Sequence, residues 1–297
     1  MNKNEQRRAL ISVTAAILLF GTIGIFREFT PLPSGLLSMS RGLIGAAFLA
    51  LVMLVRKIKI SASAVKKNFF LLGLSGAMIG ANWILLFEAY KATTIPIATL
   101  CYYMAPIFVI LASPLVLKEK LTSLKLICAG ISFIGIILVA FGSDAGGSVG
   151  DKNHFLGIIL GLGAGALYAG DILINKCVDG ITAEERTLSQ LAVAGIVCIP
   201  YVLLVENVKE IDYTPLSVTM LIIMGVLHTG IAYTMYFGGM KKLPAQTVAI
   251  ISYIDPAVSV ILAVLLVKGS VLSLYGWIGA ILILGAALVS ELPHKKN

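Results

Sequence analysis

The amino-acid sequence predicts an all-α polytopic membrane protein, with ten transmembrane helices arranged as two inverted five-helix repeats. Three observations predict it. The 297 residues are 58% hydrophobic and 13% charged, with a mean hydropathy of +0.96. A soluble domain carries about 25% charged residues, so this chain has too few polar groups to cover a water-facing surface. Ten apolar runs of roughly 17 to 24 residues follow one another, each long enough to cross a hydrocarbon core about 30 Å thick at 1.5 Å rise per residue. The chain also matches itself at a shift of 150 positions. The composition excludes a soluble enzyme, a disordered tail protein and a nucleic-acid binder.

Taken in order, the spans are 9–26, 34–55, 69–90, 95–117, 126–142, 155–175, 187–205, 215–237, 244–267 and 272–290. The first follows a basic patch, Lys3, Arg7 and Arg8. It is too long for a signal core and lacks a small-x-small cleavage site before Arg27-Glu28, so it is retained as a span. Ten spans put both termini on one side. Segments on that side hold 17 Lys/Arg and segments on the other hold 5, with Arg41 inside a span. The positive-inside rule therefore predicts cytoplasmic termini, and it accounts for the net charge of +8 without an anionic partner. Cys101, Cys128, Cys177 and Cys198 lie in or at the ends of apolar runs with no paired spacing, and read as small core residues. Gly157, Gly161, Gly163 and Gly165 lack the preceding strand of a dinucleotide loop and read as helix-packing residues.

The repeat joins spans one to five with spans six to ten, units 1–148 and 149–297. Tyr103-Met104-Ala105-Pro106 falls on Tyr253-Ile254-Asp255-Pro256, Lys118 on Lys268, Ser123-Leu124 on Ser273-Leu274 and Gly135 on Gly285. Five is odd, so the second unit enters the membrane upside down. Inverted repeats of this kind build transporters, with the substrate site near the midplane between the units.

These features carry a resemblance. The sequence resembles the drug/metabolite transporter (DMT) superfamily, specifically its EamA-type ten-span members. The resemblance rests on the two Pro-centred segments, Thr99–Pro106 and Ala249–Pro256, and on Lys118-Glu119-Lys120-Leu121-Thr122, similar to the family's Gly-Glu-x-Leu-Thr after span four. Phe20-Gly21 is similar to the family's Trp-Gly. The second copy reads Lys268-Gly269-Ser270-Val271-Leu272 and lacks the acidic residue. The resemblance covers nearly the whole chain and implies a metabolite exporter in a bacterial inner membrane. It leaves the solute open, because family members carry amino acids, other metabolites and drugs.

A charge at the bilayer centre costs about 2.5–3.5 kcal/mol, so the four charged residues within spans are site candidates. Asp255 shares a helix face with Ser252 and Ser259 and precedes Pro256, which can free a carbonyl one turn back. It either lines a cavity or pairs across the bundle. Asp171, three residues after Tyr168, reads as a gate or as an acid snorkelling at the inner interface. Glu88 reads as a rim ion pair with Lys91, or as a coupling residue. Arg41 either neutralises a bundle acid or binds a solute carboxylate through its planar fork. His228, on one face with Ala232 and Tyr236, is a proton carrier or a satisfied core histidine. Trp83 and Asn82 offer an aromatic wall and an amide, or merely pack. Tyr102, Tyr103, Tyr253 and Tyr233 place phenols at mid-depth, away from the interfacial belts, and Tyr168, on one face with Asp171, is a further candidate to line the site. Pro106 and Pro256 mark helix breaks.

The leading expectation is a secondary transporter of small polar metabolites, such as amino acids or organic amines, working by alternating access around a site between the repeats. Three acids against one arginine favour a zwitterionic or cationic solute. The chain contains no Gly-x-x-x-x-Gly-Lys-Ser/Thr motif for ATP, and proton coupling through Asp255 or His228 is the expected drive. An uptake or facilitated-diffusion carrier for an organic cation is the alternative. An intramembrane aspartyl protease using Asp171 and Asp255 is more remote, since neither aspartate sits in an intact motif. No cofactor, metal or nucleic acid is expected. The partners are the solute and the lipid bilayer, and a monomer suffices because both repeats lie in one chain.

Overall fold

The computed structural model describes residues 3–118, 123–145, 153–207, 211, 213–240, 243, 254–267 and 272–291. Every regular element among them is helical. In a hydrocarbon medium only a helix satisfies its own backbone donors and acceptors within one segment, and the apolar runs leave no other choice. The helices are α1 (Lys3–Gly21), α2 (Ile23–Glu28), α3 (Ser34–Val55), α4 (Ala62–Lys67), α5 (Phe69–Ala92), α6 (Ile95–Tyr102), α7 (Ala105–Val116) and α8 (Ser123–Ala145). They continue as α9 (His154–Lys176), α10 (Ala183–Val205), α11 (Pro215–Ile223), a π-helix (Met224–Ile231), α12 (Ala232–Met240), α13 (Ile254–Leu266) and α14 (Leu274–Glu291).

Seven helical segments are long and apolar enough to cross a membrane: Asn4–Glu28, Ser34–Val55, Phe69–Ala92, Ile95–Val116, His154–Lys176, Ala183–Val205 and Pro215–Tyr236. Three shorter apolar helices, Ser123–Val139, Ile254–Leu266 and Leu274–Ala286, complete the described set. The chain is a polytopic membrane protein. Its outer surface is apolar, with Leu115 87% and Leu204 84% exposed, while Arg41, Ser75, Asn82, Asp171, Gln190 and His228 are buried within. That arrangement inverts the pattern of a water-soluble protein.

The fourth predicted span is broken. Tyr103 and Met104 form a turn between α6 and α7, and Pro106, without an N–H, sits in the first turn of α7 where none is needed. The first span is broken too, at Thr22, whose hydroxyl donates to the Leu19 carbonyl at 2.7 Å. The apolar run gives no sign of that break. Ser252 and Tyr253 lie outside the described residues, as does the segment 244–253 of the ninth predicted span.

The helices pack in pairs: α5 with α9, α3 with α10, α8 with α14 and α1 with α12. Helix α5 also contacts α10, α3 contacts the π-helix, α6 and α7 lie on α9, and α13 lies on α1 and α6. Helix α10 is fastened at both ends by carboxylates on backbone amides. At one end Glu206 accepts from Gly35 N at 2.6 Å and Leu36 N at 2.9 Å, capping the start of α3. At the other, Glu185 accepts from Ser61 N at 2.5 Å while closing a capping box with Thr182.

Candidate functional site

The turn between α6 and α7 meets the first turn of α13. Asp255 enters there, its helix starting just before Pro256, and its carboxylate accepts a hydrogen bond from the Tyr103 phenol. One turn further along each helix, Thr99 and Ser259 hydroxyls lie 3.2 Å apart, and Tyr90 reaches the Thr99 hydroxyl at 3.4 Å. Tyr102 stacks on Tyr168 with ring centroids 5.4 Å apart and meets Tyr103 edge-on at 5.5 Å. Phe20 of α1 sits edge-on to Tyr233 and Tyr236 of α12, at 5.2 and 6.0 Å. The carboxylate of Asp255 has Tyr90, Tyr102, Tyr103, Tyr168 and Tyr233 as electrostatic neighbours. All five phenols and Asp255 are half-buried.

Arg41 lies near the same group of phenols. Its electrostatic neighbours include Tyr233, Tyr102 and Tyr90, three of the phenols that also face Asp255. The guanidinium carbon lies 4.1 Å from the Trp83 ring centroid and 5.6 Å from that of Phe87, a close cation–π geometry. Its Nε donates to Thr229 Oγ1 at 3.2 Å. Arg41 is 2% exposed, yet it makes no salt bridge among the described residues. The sequence offered pairing with a bundle acid as one reading; no acid pairs with Arg41 among the described residues, and aromatic rings of α5 cover its flat face instead. Asn82, one residue before Trp83, is also buried, and its side-chain oxygen has no hydrogen-bond partner among the described residues.

The other candidates lie elsewhere. Asp171 is 7% exposed, which corrects the snorkelling reading. Ser75 Oγ and Asn175 Nδ2 both donate to Asp171 Oδ1, the latter at 2.8 Å, and Gln190 Nε2 donates to Ser75 Oγ at 2.5 Å and to Asn175 Oδ1 at 2.7 Å. This buried network ties α5, α9 and α10 together. Glu88 forms an ion pair with Lys91 at 2.7 Å near the end of α5, with both side chains partly exposed. His228 is fully buried, 2.8 Å through Nε2 from the Thr22 hydroxyl and edge-on to Phe26 at 4.6 Å. His228 and Tyr236 do share the face toward α1 and α2. No group of three His, Cys, Asp or Glu residues is placed to hold a metal among the described residues.

Sequence reasoning missed Ser75, Asn175, Gln190, Tyr90, Thr99 and Thr229. Asn175 and Gln190 carried a signal, since a primary amide inside an apolar run must find a partner, and Asn175 stands one turn after Asp171. Thr99 and Thr229 carried none, because threonine is routine in buried helices.

The chain matches the model of the EamA-like transporter family twice, over residues 7–141 and 155–291. It is 28% identical over 263 residues to an uncharacterized transporter, YxxF, of Bacillus subtilis, covering 88% of this chain and 83% of that one. It is 24% identical to the protein RarD of Salmonella typhi, covering 89% of this chain and 88% of the relative. A solved crystal structure of 20% identity superposes with a TM-score of 0.65 over 95% of both chains, a likeness of fold.

Proposed function

The chain belongs to the EamA-like transporter family, and from that premise we propose that it exports small zwitterionic metabolites, amino acids in the first place, by secondary active transport. The solute sits between Asp255 and Arg41, with its ammonium group on the carboxylate and its carboxylate on the guanidinium. Tyr102, Tyr103, Tyr168, Tyr233 and Trp83 wall it. The observation that carries this reading is the pair of opposite charges that share three phenol neighbours without forming a salt bridge to each other. A buried guanidinium without a counter-ion is costly, and a solute carboxylate removes that cost.

Alternating access about this site fits ten spans in two inverted repeats, 1–148 and 149–297. The double family match supports the duplication. So does the packing, because exchanging the units turns the α5–α9 contact into the α12–α1 contact, and maps α3–α10 and α8–α14 onto themselves. The charge bias supports cytoplasmic termini in a cell membrane, and one chain is a sufficient unit. Asp255 carries the coupled proton, while Asp171, His228, Glu88 and Arg41 serve the gates and the coupling.

A thermal-shift screen of detergent-purified protein tests the site. Amino acids are compared with their decarboxylated amines and deaminated acids. A ligand at 100 times its Kd stabilises the native state by about 2.7 kcal/mol. Zwitterions should stabilise most, amines should lose their effect in Asp255→Asn, and acids in Arg41→Ala. Stabilisation by acids alone, unchanged in Asp255→Asn, overturns the reading. Proton drive is tested in liposomes: transport that ignores a pH gradient makes the protein a facilitated-diffusion carrier.

A further inference from the structure

We infer that Thr229 is a positioning residue that aims the Arg41 guanidinium at the solute's carboxylate, and that the π-helix exists to hold it there. This inference rests on the solute reading given above for Arg41. A threonine hydroxyl has one proton, and that of Thr229 is donated to the Met224 carbonyl at 3.0 Å. The Arg41 Nε–H can only donate, so the 3.2 Å contact between them runs from Arg41 to the free lone pair of Thr229. Both bonds therefore have a fixed direction, and neither partner can be turned around without breaking one.

The spacing matters. Met224 is five residues before Thr229, the interval of a π-helix; in an α-helix a threonine hydroxyl at this position bonds four residues back, to Gly225. The wider turn lets two successive residues serve two different neighbours. His228 goes to Thr22 and Phe26, while Thr229 goes to Arg41 on α3. The approach is made possible by Gly45, one turn after Arg41, where a Cβ would stand 2.6 Å from Thr229 Cγ2. With Nε committed to Thr229 and the flat face against Trp83, the edge carrying the two terminal amino groups is what remains of the guanidinium. Those groups make no hydrogen bond among the described residues. A carboxylate binds that edge through two parallel hydrogen bonds. Thr229 thus selects solutes that bear a carboxylate without touching them.

The test measures binding of an amino acid and of its decarboxylated amine to wild type, Thr229→Val and Thr229→Ser. Valine keeps the shape and removes both hydrogen bonds; serine restores them. The expected result is a loss of affinity for the amino acid of about tenfold in Thr229→Val, the scale of one charge-assisted hydrogen bond. Amine affinity stays unchanged, and the wild-type preference returns in Thr229→Ser. Thr229→Ala adds no bulk to the glycine seam, carries the same expectation, and serves if the valine variant does not fold. An unchanged preference, or a parallel loss of both ligands, makes Thr229 a structural residue only and overturns the inference. Failure of the solute reading looks different: wild type then shows no preference for the amino acid, or Arg41→Ala leaves that preference intact.

Discussion

Asn82 shows at a single side chain what separates a site from a core. Its carboxamide oxygen is buried one residue from Trp83 and has no hydrogen-bond partner among the described residues. A buried acceptor left unsatisfied costs about 1–3 kcal/mol, and in natively folded chains such atoms are few and call for a cause. On the reading proposed above, the cause is a ligand. Asn82→Leu, similar in volume and free of that cost, should leave the melting temperature of the empty protein unchanged or raise it. The stabilisation produced by a saturating amino acid should shrink. A scan with and without ligand reads both, and a variant that melts earlier yet keeps the full ligand shift contradicts a binding role. At this scale the sequence was informative wherever chemistry stood out against its background. Arg41, Asp171 and Asp255 are charges in apolar runs, and Tyr102, Tyr103 and Tyr233 are phenols far from an interface. Thr229 was invisible, since its partnership depends on a turn of π rather than α spacing, and no periodicity in Met224–Ile231 announces that.

Single elements divide in the same way. The length of each apolar run was enough to predict a spanning helix, and Pro106 was enough to predict the interruption of span four. The break at Thr22 has no proline, so the run 9–26 read as continuous. It became visible only through Thr22's hydrogen bonds to Leu19 and His228. Nor did the sequence say that α5, α9 and α10 share one buried polar knot, because the pairing of Asp171 with Ser75, and of Gln190 with Asn175, is a matter of which helices are neighbours. That knot makes a graded prediction. Asp171→Asn keeps an oxygen to accept from Ser75 and Asn175, and should cost little. Asp171→Leu strands the Ser75 hydroxyl away from water and leaves Asn175 Nδ2 the main-chain carbonyl of residue 171, and should destabilise by about 1–3 kcal/mol, the scale of one unpaired buried donor. Melting curves in detergent separate the two variants. If both melt alike, the knot contributes nothing to holding the three helices together.

Taken whole, the molecule wears its apolar side chains outward and keeps its polar ones for the interior, and that inversion was legible from composition alone. The count of 17 Lys/Arg in the segments on one side against 5 on the other predicts its orientation, with cytoplasmic termini. Lys91 lies at one end of the bundle and Lys176 at the other. With the exposed native Cys177 replaced by serine, a membrane-impermeant maleimide added to intact cells should label Lys91→Cys and spare Lys176→Cys; the reverse pattern turns the topology over. The helix contacts themselves impose a different order on the surface. A side chain on Gly80 would stand 2.6 Å from the Ala194 carbonyl, and one on Gly279 would stand 2.5 Å from that of Gly135. Backbone meets backbone along these lines, so no larger residue fits them, whereas Leu115 and Leu204 face lipid and any apolar residue serves there as well. Such a chain is free to diverge almost everywhere on its outside while a few narrow stripes stay fixed. Over long descent its kin should drift apart in letters far faster than in shape.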